Sequence, residues 1–288
     1  PIMMALSAAR GNKTPIVFVP SMHQDLFDDP VTTELLDQII LEGNYYFVDR
    51  EKEGRRKQPS PVVIVSKLSN LVNSFLDNRK KVAITLGATR APIDSVRAIQ
   101  NASSGKTGWA IAEHLFMMGH EVHCIAGKTS SNPSIELPNI IRAGSPEEML
   151  SQSLSLAKMD DKPEVWIHSA AVLDYSMVPE KGKKPSGEDK WEIELRPTLK
   201  HISELSDLVG DCIRIGFKLE TDVSEEDLIQ KSLNQISKYG VDYVIANILE
   251  QIGDENSPRA RIVSNDGSVK VLQNEVDICL EIEKIISE

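Results

Sequence analysis

The sequence predicts an α/β protein built on a mostly parallel sheet with helices on both faces. Apolar, β-rich runs recur at 82–86, 121–126, 164–168, 213–217 and 241–246. Between them, apolar residues at helical spacing recur over 106–118, 146–158 and 224–239. Alternation of strand and helix at this interval makes parallel strands, because each crossover lays a helix on the sheet. The length, 288 residues with 41% hydrophobic and 26% charged, provides a sizeable core in one large domain or two smaller ones.

The amino-terminal stretch is organised differently. Residues 14–20 (TPIVFVP) read as a buried strand, 31–42 as an amphipathic helix stopped by Gly43, and 45–48 as a second strand. Residues 49–61 (DREKEGRRKQPSP) are charged, contain proline and lack apolar periodicity, so they read as a loop before a helix over 62–76. The polar run 77–81 is the expected boundary, giving domains over 1–78 and 79–288.

In the second domain the strand at 82–86 feeds a Gly/Ala turn. A serine- and glycine-rich turn, 102–108, then opens the helix at 106–118. Backbone N–H groups at such a turn suit a phosphate, yet an ordinary strand–turn–helix needs the same small residues. Neither GxxxxGK[ST] nor a strand followed directly by GxGxxG is present, so both readings stand on the residues alone. Residues 174–198 form a long polar segment with Lys181, Lys183 and Lys184, and a structureless loop of that length is expected to be either a functional flap or disordered. Residues 260–272 read as a hairpin turning at Asn265-Asp266-Gly267, and 274–287 as a closing helix. No internal repeat is seen.

A net charge of −11 argues against nucleic acid, so any anionic ligand must meet local cations. Cys124, Cys212 and Cys279 are odd in number, widely spaced and set in apolar runs. They are expected to be buried free thiols of a reducing cytoplasm, not disulfides or a zinc site. No apolar run approaches the ~20 residues that span a bilayer. Pro1 at the start is expected of a piece, or a processed product, of a longer chain.

Parallel strands bring the segments that follow them to one edge, where ligands bind in such sheets. Four segments converge there: the loop with Arg90, Asp94, Arg97 and Asn101; Ser169 to Tyr175; Lys218 to Asp222; and Ala246-Asn247. The flap lysines add positive charge, although a lysine-rich loop is more often simply solvated. Lys231 and Lys238, seven residues apart, share a helix face. His168 reads as a core histidine at a strand end. A metal at His114, His120 and His123 is disfavoured by the strand-like setting of the last two.

GATRAPIDSVRAIQNASSGKTG, AAVLDY, PEKGKK, GFKLETD and AN, in this order, resemble phosphopantothenoylcysteine synthetase, a Rossmann-like domain, over roughly 79–288. Residues 14–78 resemble the C-terminal part of the flavin-dependent phosphopantothenoylcysteine decarboxylase, a flavodoxin-like domain. Pro20-Ser21-Met22-His23 stands there where that family carries PxMN. The two activities are commonly fused in coenzyme A biosynthesis. The resemblance implies no decarboxylation by this chain, because the flavin loop, catalytic histidine and cysteine-bearing clamp belong to the other half of that domain; FMN is expected only with the domain intact.

The resemblance also implies a ligase joining 4′-phosphopantothenate to cysteine. A carboxylate attacks the α-phosphate of CTP, giving an acyl-nucleotide and pyrophosphate, and the amine of cysteine then displaces CMP. Mg²⁺ is expected on the triphosphate, with its protein ligands unassigned. By matching positions, Asn101 orients the acyl-nucleotide and Lys181 stabilises phosphate charge, these two being the catalytic candidates. Lys181 opens the family's KIKK, which here reads Lys181-Gly182-Lys183-Lys184, and the glycine is expected to loosen the flap. Ser104, Gly105, Ala170, Asp174, Pro197, Thr198, Leu199, Lys200 and Phe217 match nucleotide positions, with Lys231 and Lys238 as triphosphate lysines. Arg97, Asn101 and Asn247 are the substrate-binding candidates.

ATP is the alternative nucleotide, since 217–222 and 246–250 look more like eukaryotic monofunctional synthetases. A nicotinamide-dependent oxidoreductase is a second reading, opposed by the missing GxGxxG and by the neutral Cys124-Ile125-Ala126-Gly127. A non-catalytic oligomerisation module is a third. The expected partners are small molecules and a second copy of the ligase domain as a homodimer, with no nucleic acid or membrane, in the cytoplasm.

Overall fold

The computed structural model describes residues 1–49, 51–187 and 190–288. The chain divides into two compact units, Pro1–Leu68 and Ser69–Glu288. The division falls inside the helix Pro61–Asn73, ahead of the boundary expected at 78. The side-chain amides of Asn70 and Asn73 explain this: they donate to the carbonyls of Phe116 (2.8 Å) and Met117 (2.7 Å), tying the helix's last turns to the second unit.

In the first unit, the helix Ile2–Gly11 buries none of its residues. Val17–Phe18 pairs in parallel with Tyr45–Tyr46. The strand expected to be buried over 14–20 is only these two half-buried residues, because a two-stranded ladder leaves most of its faces uncovered. Asp29 caps the helix Pro30–Leu41, accepting from Thr32 N at 3.1 Å. The expected loop over 49–61 instead holds two strands, Glu51–Lys52 and Arg55–Arg56, the second pairing with Met22–His23. Glu53 and Gly54 both have positive φ (55° and 70°), the geometry of a tight hairpin turn. Arg50, within that loop, lies outside the described residues.

The second unit contains the sheet. Its strands are β1 (Lys81–Leu86), β2 (Glu121–Gly127), β3 (Asn139–Ala143), β4 (Val165–His168), β5 (Ile213–Glu220), β6 (Tyr243–Ile248), β7 (Ala260–Ser264) and β8 (Val269–Leu272). They lie in the order β3-β2-β1-β4-β5-β6-β7-β8. The first six are parallel, and β7 and β8 run antiparallel as the expected hairpin. This is the mostly parallel, Rossmann-like sheet that the alternation predicts, and strand order reverses between β1 and β4. β3 was not foreseen.

Helices cover both faces. On one, α1 (Lys106–Met117) and the closing helix α4 (Glu275–Ser287) pack Trp109, Ile111, Leu115, Ile278 and Ile282 onto Val82, Ile84, Leu86, Ile167 and Ile245. On the other, α2 (Pro146–Ala157) packs Met149 and Leu156 onto Ala83, Ile125 and Trp166. There too α3 (Glu225–Tyr239) packs Leu228 and Ile236 onto Val244, Ala246 and Ile248. Burying this apolar surface is the main favourable term in folding.

Cys124 and Cys279 are buried and Cys212, expected to be buried, is half-buried beside Pro163 O (3.3 Å); all three are free. Burial pushes the Cys124 and Cys279 thiols up to about 12. Among the described residues, no helix is long and apolar enough to cross a membrane.

Candidate active site

The site is built where the strand order reverses, at the carboxyl ends of β1 and β4. Beyond the strands the two segments stay laced: Ala171 N donates to Gly87 O (2.7 Å), and Ala88 bridges Ala171 in parallel. Asn101, at the end of a small hairpin (Arg90–Pro92 with Ala98–Gln100), reaches across this seam. Its Nδ2 donates to the carbonyls of Ala171 and Val172, both at 3.2 Å. Both donor positions of the amide are thereby used, and Oδ1 is left as an acceptor.

The turn before α1 packs directly on the seam. Gly105 caps the helix with φ +76°, and a Cβ there would lie 3.1 Å from the backbone of Gly87. Only glycine suits both the left-handed φ and the approach. No side chain caps α1, whereas Ser145, Ser224 and Asn274 cap α2, α3 and α4. The amino end of α1 therefore presents backbone N–H groups and a positive dipole at the crevice. Ser104 O accepts from Ser131 N (2.9 Å), fixing the turn to the loop after β2.

The β4 side supplies small residues, Ser169-Ala170-Ala171, and then Asp174 at the foot of the flap. Short antiparallel pairing of Tyr175–Ser176 with Arg196–Pro197 closes that foot, so the segment expected to be structureless has a fixed base. Thr198 N donates to Asp174 O (2.9 Å), and Lys200 pairs with the Asp174 carboxylate. Pro197, Thr198, Leu199 and Lys200 are thus assembled beside Asp174, with Leu199 exposed. Glu188 and Asp189, within the flap, lie outside the described residues.

Along the flap, Lys181 is exposed with no partner among the described residues. Gly182 has φ +80°, and its carbonyl accepts from Ser95 N at 3.0 Å. The glycine therefore supplies a left-handed turn docked on the hairpin. Arg97 donates to Asp94 at 2.5 Å and stacks 5.2 Å from the centroid of Trp191.

The other candidates arrive from β5, α3 and β6. Phe217 is half-buried on β5, on the face that carries α1. Lys231 donates to Glu220 Oε2 at 2.5 Å, bringing its ammonium to the carboxyl end of β5. Lys238 is not brought there. It sits in the last turn of α3 over the ring of Tyr239 (5.1 Å), about 10 Å further along a helix that runs back toward the strands' amino ends.

Asn247, next to last in β6, is almost fully buried, and Arg259 joins it to α1, donating to Asn247 Oδ1 (2.9 Å) and Thr107 Oγ1 (3.0 Å). Sequence reading missed Arg259. Its placement follows only from the antiparallel register of β6 and β7, which pairs Ala246 with Arg261.

His168 is a core histidine, stacked on Trp166, with Nε2 buried and without a hydrogen-bond partner among the described residues. Burial, with Arg214 and His201 nearby, pushes its imidazole down to about 3, so it is neutral near pH 7. His120 is a structural link: it accepts from Lys80 N (2.9 Å) and faces Glu283 (2.8 Å). Among the described residues, no three His, Cys, Asp or Glu side chains gather to hold a metal ion. One hollow of about 320 Å³, lined by Asp211, Cys212, Asp242 and Tyr243, lies at the amino ends of β5 and β6, the edge opposite the crevice.

Residues 78–279 match the family model of the DNA/pantothenate metabolism flavoprotein C-terminal domain. The chain is similar to the coenzyme A biosynthesis bifunctional protein CoaBC of Thermococcus kodakarensis, 36% identical over 244 residues, covering 85% of this chain and 60% of that protein. It is 31% identical over 250 residues to the protein of the same name from Methanocaldococcus jannaschii, with the same coverage of 85% and 60%. This chain therefore spans 60% of the length of each relative. Among solved structures it resembles the DNA/pantothenate metabolism flavoprotein of Streptococcus pneumoniae, with TM-score 0.65 and 29% identity over 72% of this chain and 98% of that one. It also resembles the C-terminal domain of a CoaBC protein, with TM-score 0.58 and 26% identity over 75% and 96% of the two chains.

Proposed function

The chain belongs to the family of the DNA/pantothenate metabolism flavoprotein C-terminal domain, and from that premise we propose that its second unit is a phosphopantothenate–cysteine ligase that uses CTP. The observation that carries the reading is the seam at the β1–β4 reversal. There the Asn101 amide, the small residues 169–171 and the uncapped amino end of α1 converge.

In this reading the carboxylate of 4′-phosphopantothenate attacks the α-phosphorus of CTP; a P–O bond forms and pyrophosphate leaves. The cysteine amine then attacks the acyl carbon, a C–N bond forms, CMP leaves, and the amine gives up a proton. No covalent bond to the protein is required, so catalysis is positioning and charge neutralisation. Asn101 is locked by the two carbonyls and offers Oδ1 to a donor on the acyl-nucleotide. Lys181 and Lys231 face phosphate charge, and Lys231 must exchange Glu220 for it. Arg97 and Asn247 hold the substrate end, with the Asn247 amide oriented by Arg259. Magnesium would enter with the nucleotide, since among the described residues no His, Cys, Asp or Glu cluster stands ready to hold it, and it would supply neutralisation of triphosphate charge.

The test is pyrophosphate release from purified protein with phosphopantothenate and cysteine, comparing CTP with ATP. Release dependent on phosphopantothenate is expected, faster with CTP. Asn101→Ala should keep the first step and slow amide formation about a hundredfold, so that acyl-nucleotide accumulates. Absence of pyrophosphate release with either nucleotide would refute the assignment. The first unit we read as the C-terminal part of the flavin-dependent decarboxylase domain, and FMN co-purifying with this chain would contradict its expected dependence on the intact domain.

A further inference from the structure

The turn of the small hairpin carries a buried carboxylate. Asp94 sits at an exposed corner of the second unit, yet its side chain is 0% exposed. Its two oxygens have different duties. Oδ1 accepts from Val96 N and Arg97 N, both at 2.7 Å, which closes the turn. Such a turn needs no more than that. Oδ2 accepts from the Arg97 guanidinium at 2.5 Å and from Lys184 N, on the flap, at 3.2 Å.

Around this contact the flap backbone follows the turn. Glu180 N donates to Ile93 O (2.8 Å) and Ser95 N to Gly182 O (3.0 Å), so with Lys184 every second flap residue is bonded. Lys181 and Lys183 fall between the bonds. The Arg97 guanidinium also donates to Lys184 O at 3.3 Å, and the Trp191 ring lies 5.2 Å from Arg97 and 5.5 Å from the Lys184 ammonium. Asp94 Oδ2 thus holds the Arg97 side chain and the flap backbone at one point.

We infer that Asp94 is a positioning residue that couples Arg97 to the flap, so that the substrate-binding hairpin and the phosphate-facing flap respond to ligand as one body. The inference rests on the ligase reading only for its effect on turnover. The coupling itself is read without any substrate.

Asp94→Asn in the full chain keeps an acceptor for the turn and sets an amide NH₂ against two donors. The KM for 4′-phosphopantothenate is expected to rise about tenfold, the cost of one charge-assisted hydrogen bond, while kcat changes by less than about threefold. In an Arg97→Gln background, the same substitution is expected to leave the phosphopantothenate dissociation constant, measured by calorimetry, unchanged. Amide hydrogen exchange over 180–184 is expected to accelerate while that of β1 and β4 stays constant. Multiplicative effects in the double variant, or unaltered exchange over 180–184, would overturn the coupling and leave Asp94 as a turn brace. If the wild type shows no ligation, the functional assignment fails, and the exchange result alone still decides the coupling. Should Asp94→Asn not fold, Lys184→Pro deletes the flap N–H while sparing the carboxylate, and accelerated exchange over 180–183 is the supporting outcome, unchanged exchange the opposing one.

Discussion

Asn101 and His168 show how a residue's chemistry is set by what surrounds it. Asn101 spends both amide protons on the seam, so Asn101→Asp would place a carboxylate oxygen against two carbonyl oxygens. His168 and His201 are held neutral, pushed down to about 3 and about 4, burial being the first cause for each. In the unfolded chain both titrate near the ordinary value of about 6.5. Below that pH the unfolded state takes up protons that the folded state refuses, so stability is complete above about 6.5 and is lost as pH falls toward 4 and then 3. At pH 5 the loss is about 2 kcal/mol for each histidine, and the melting temperature should fall by several degrees. Replacing His168 by Gln should reduce the slope of melting temperature against pH between 6.5 and 4, whatever it does to stability at neutral pH. An unchanged slope would show that the imidazole protonates in the fold.

At the scale of elements, helix starts divide into two kinds. Ser145 accepts from Glu148 N at 3.1 Å, and the Glu148 carboxylate accepts from Gly144 N at 2.6 Å. Ser145→Ala should cost about 1 kcal/mol in denaturant unfolding and leave ligation untouched. Gly105→Ala should cost about 1–2 kcal/mol through its positive φ, and should also lower turnover because the turn pressed on Gly87 must shift. Equal turnover in both variants would separate the α1 turn from function.

The same contrast marks what sequence can reveal. Apolar runs such as Val82 to Leu86 and Val165 to Ile167 are strands by composition, and Ser224 and Asn274 announce helices locally. β3 does not announce itself: its five residues include a central Ile-Ile pair and an arginine, and it is a strand because β2 offers an open edge. Glu51–Lys52 and Arg55–Arg56 are charged and are strands only because Glu53-Gly54 turns between them. For the crevice, the segments that hold Asn101, Asp174 and Asn247 were legible as those following predicted strands, while the roles proposed for these residues and for Lys181 come from the resemblance. The resemblance also supplied Lys238; helical spacing gives its face of the helix but not how far along it the crevice lies.

At the scale of the whole molecule, the two units differ in how much they bury. In Pro1–Leu68 the one buried large apolar side chain among the described residues is Leu36, while Ser69–Glu288 holds three buried clusters. Heating should therefore give a first, small transition from the amino-terminal unit and a second, larger one from the sheet. Limited proteolysis should cut first within 1–68. A single calorimetric transition of the full enthalpy, with no early cleavage, would mean that the units melt together.

The crevice also has a place in time. Arg259 closes it against Thr107, a partner 152 residues earlier in the chain. Contacts that distant form late, because the loop between them must be closed first. During synthesis the walls at β1, α1 and β4 can assemble while residues 247–259 are still to be made. The parallel strands before residue 247 would thus be in place before Arg259 completes the crevice, so on the proposed reading the nascent chain would hold most of its parallel sheet before a finished site.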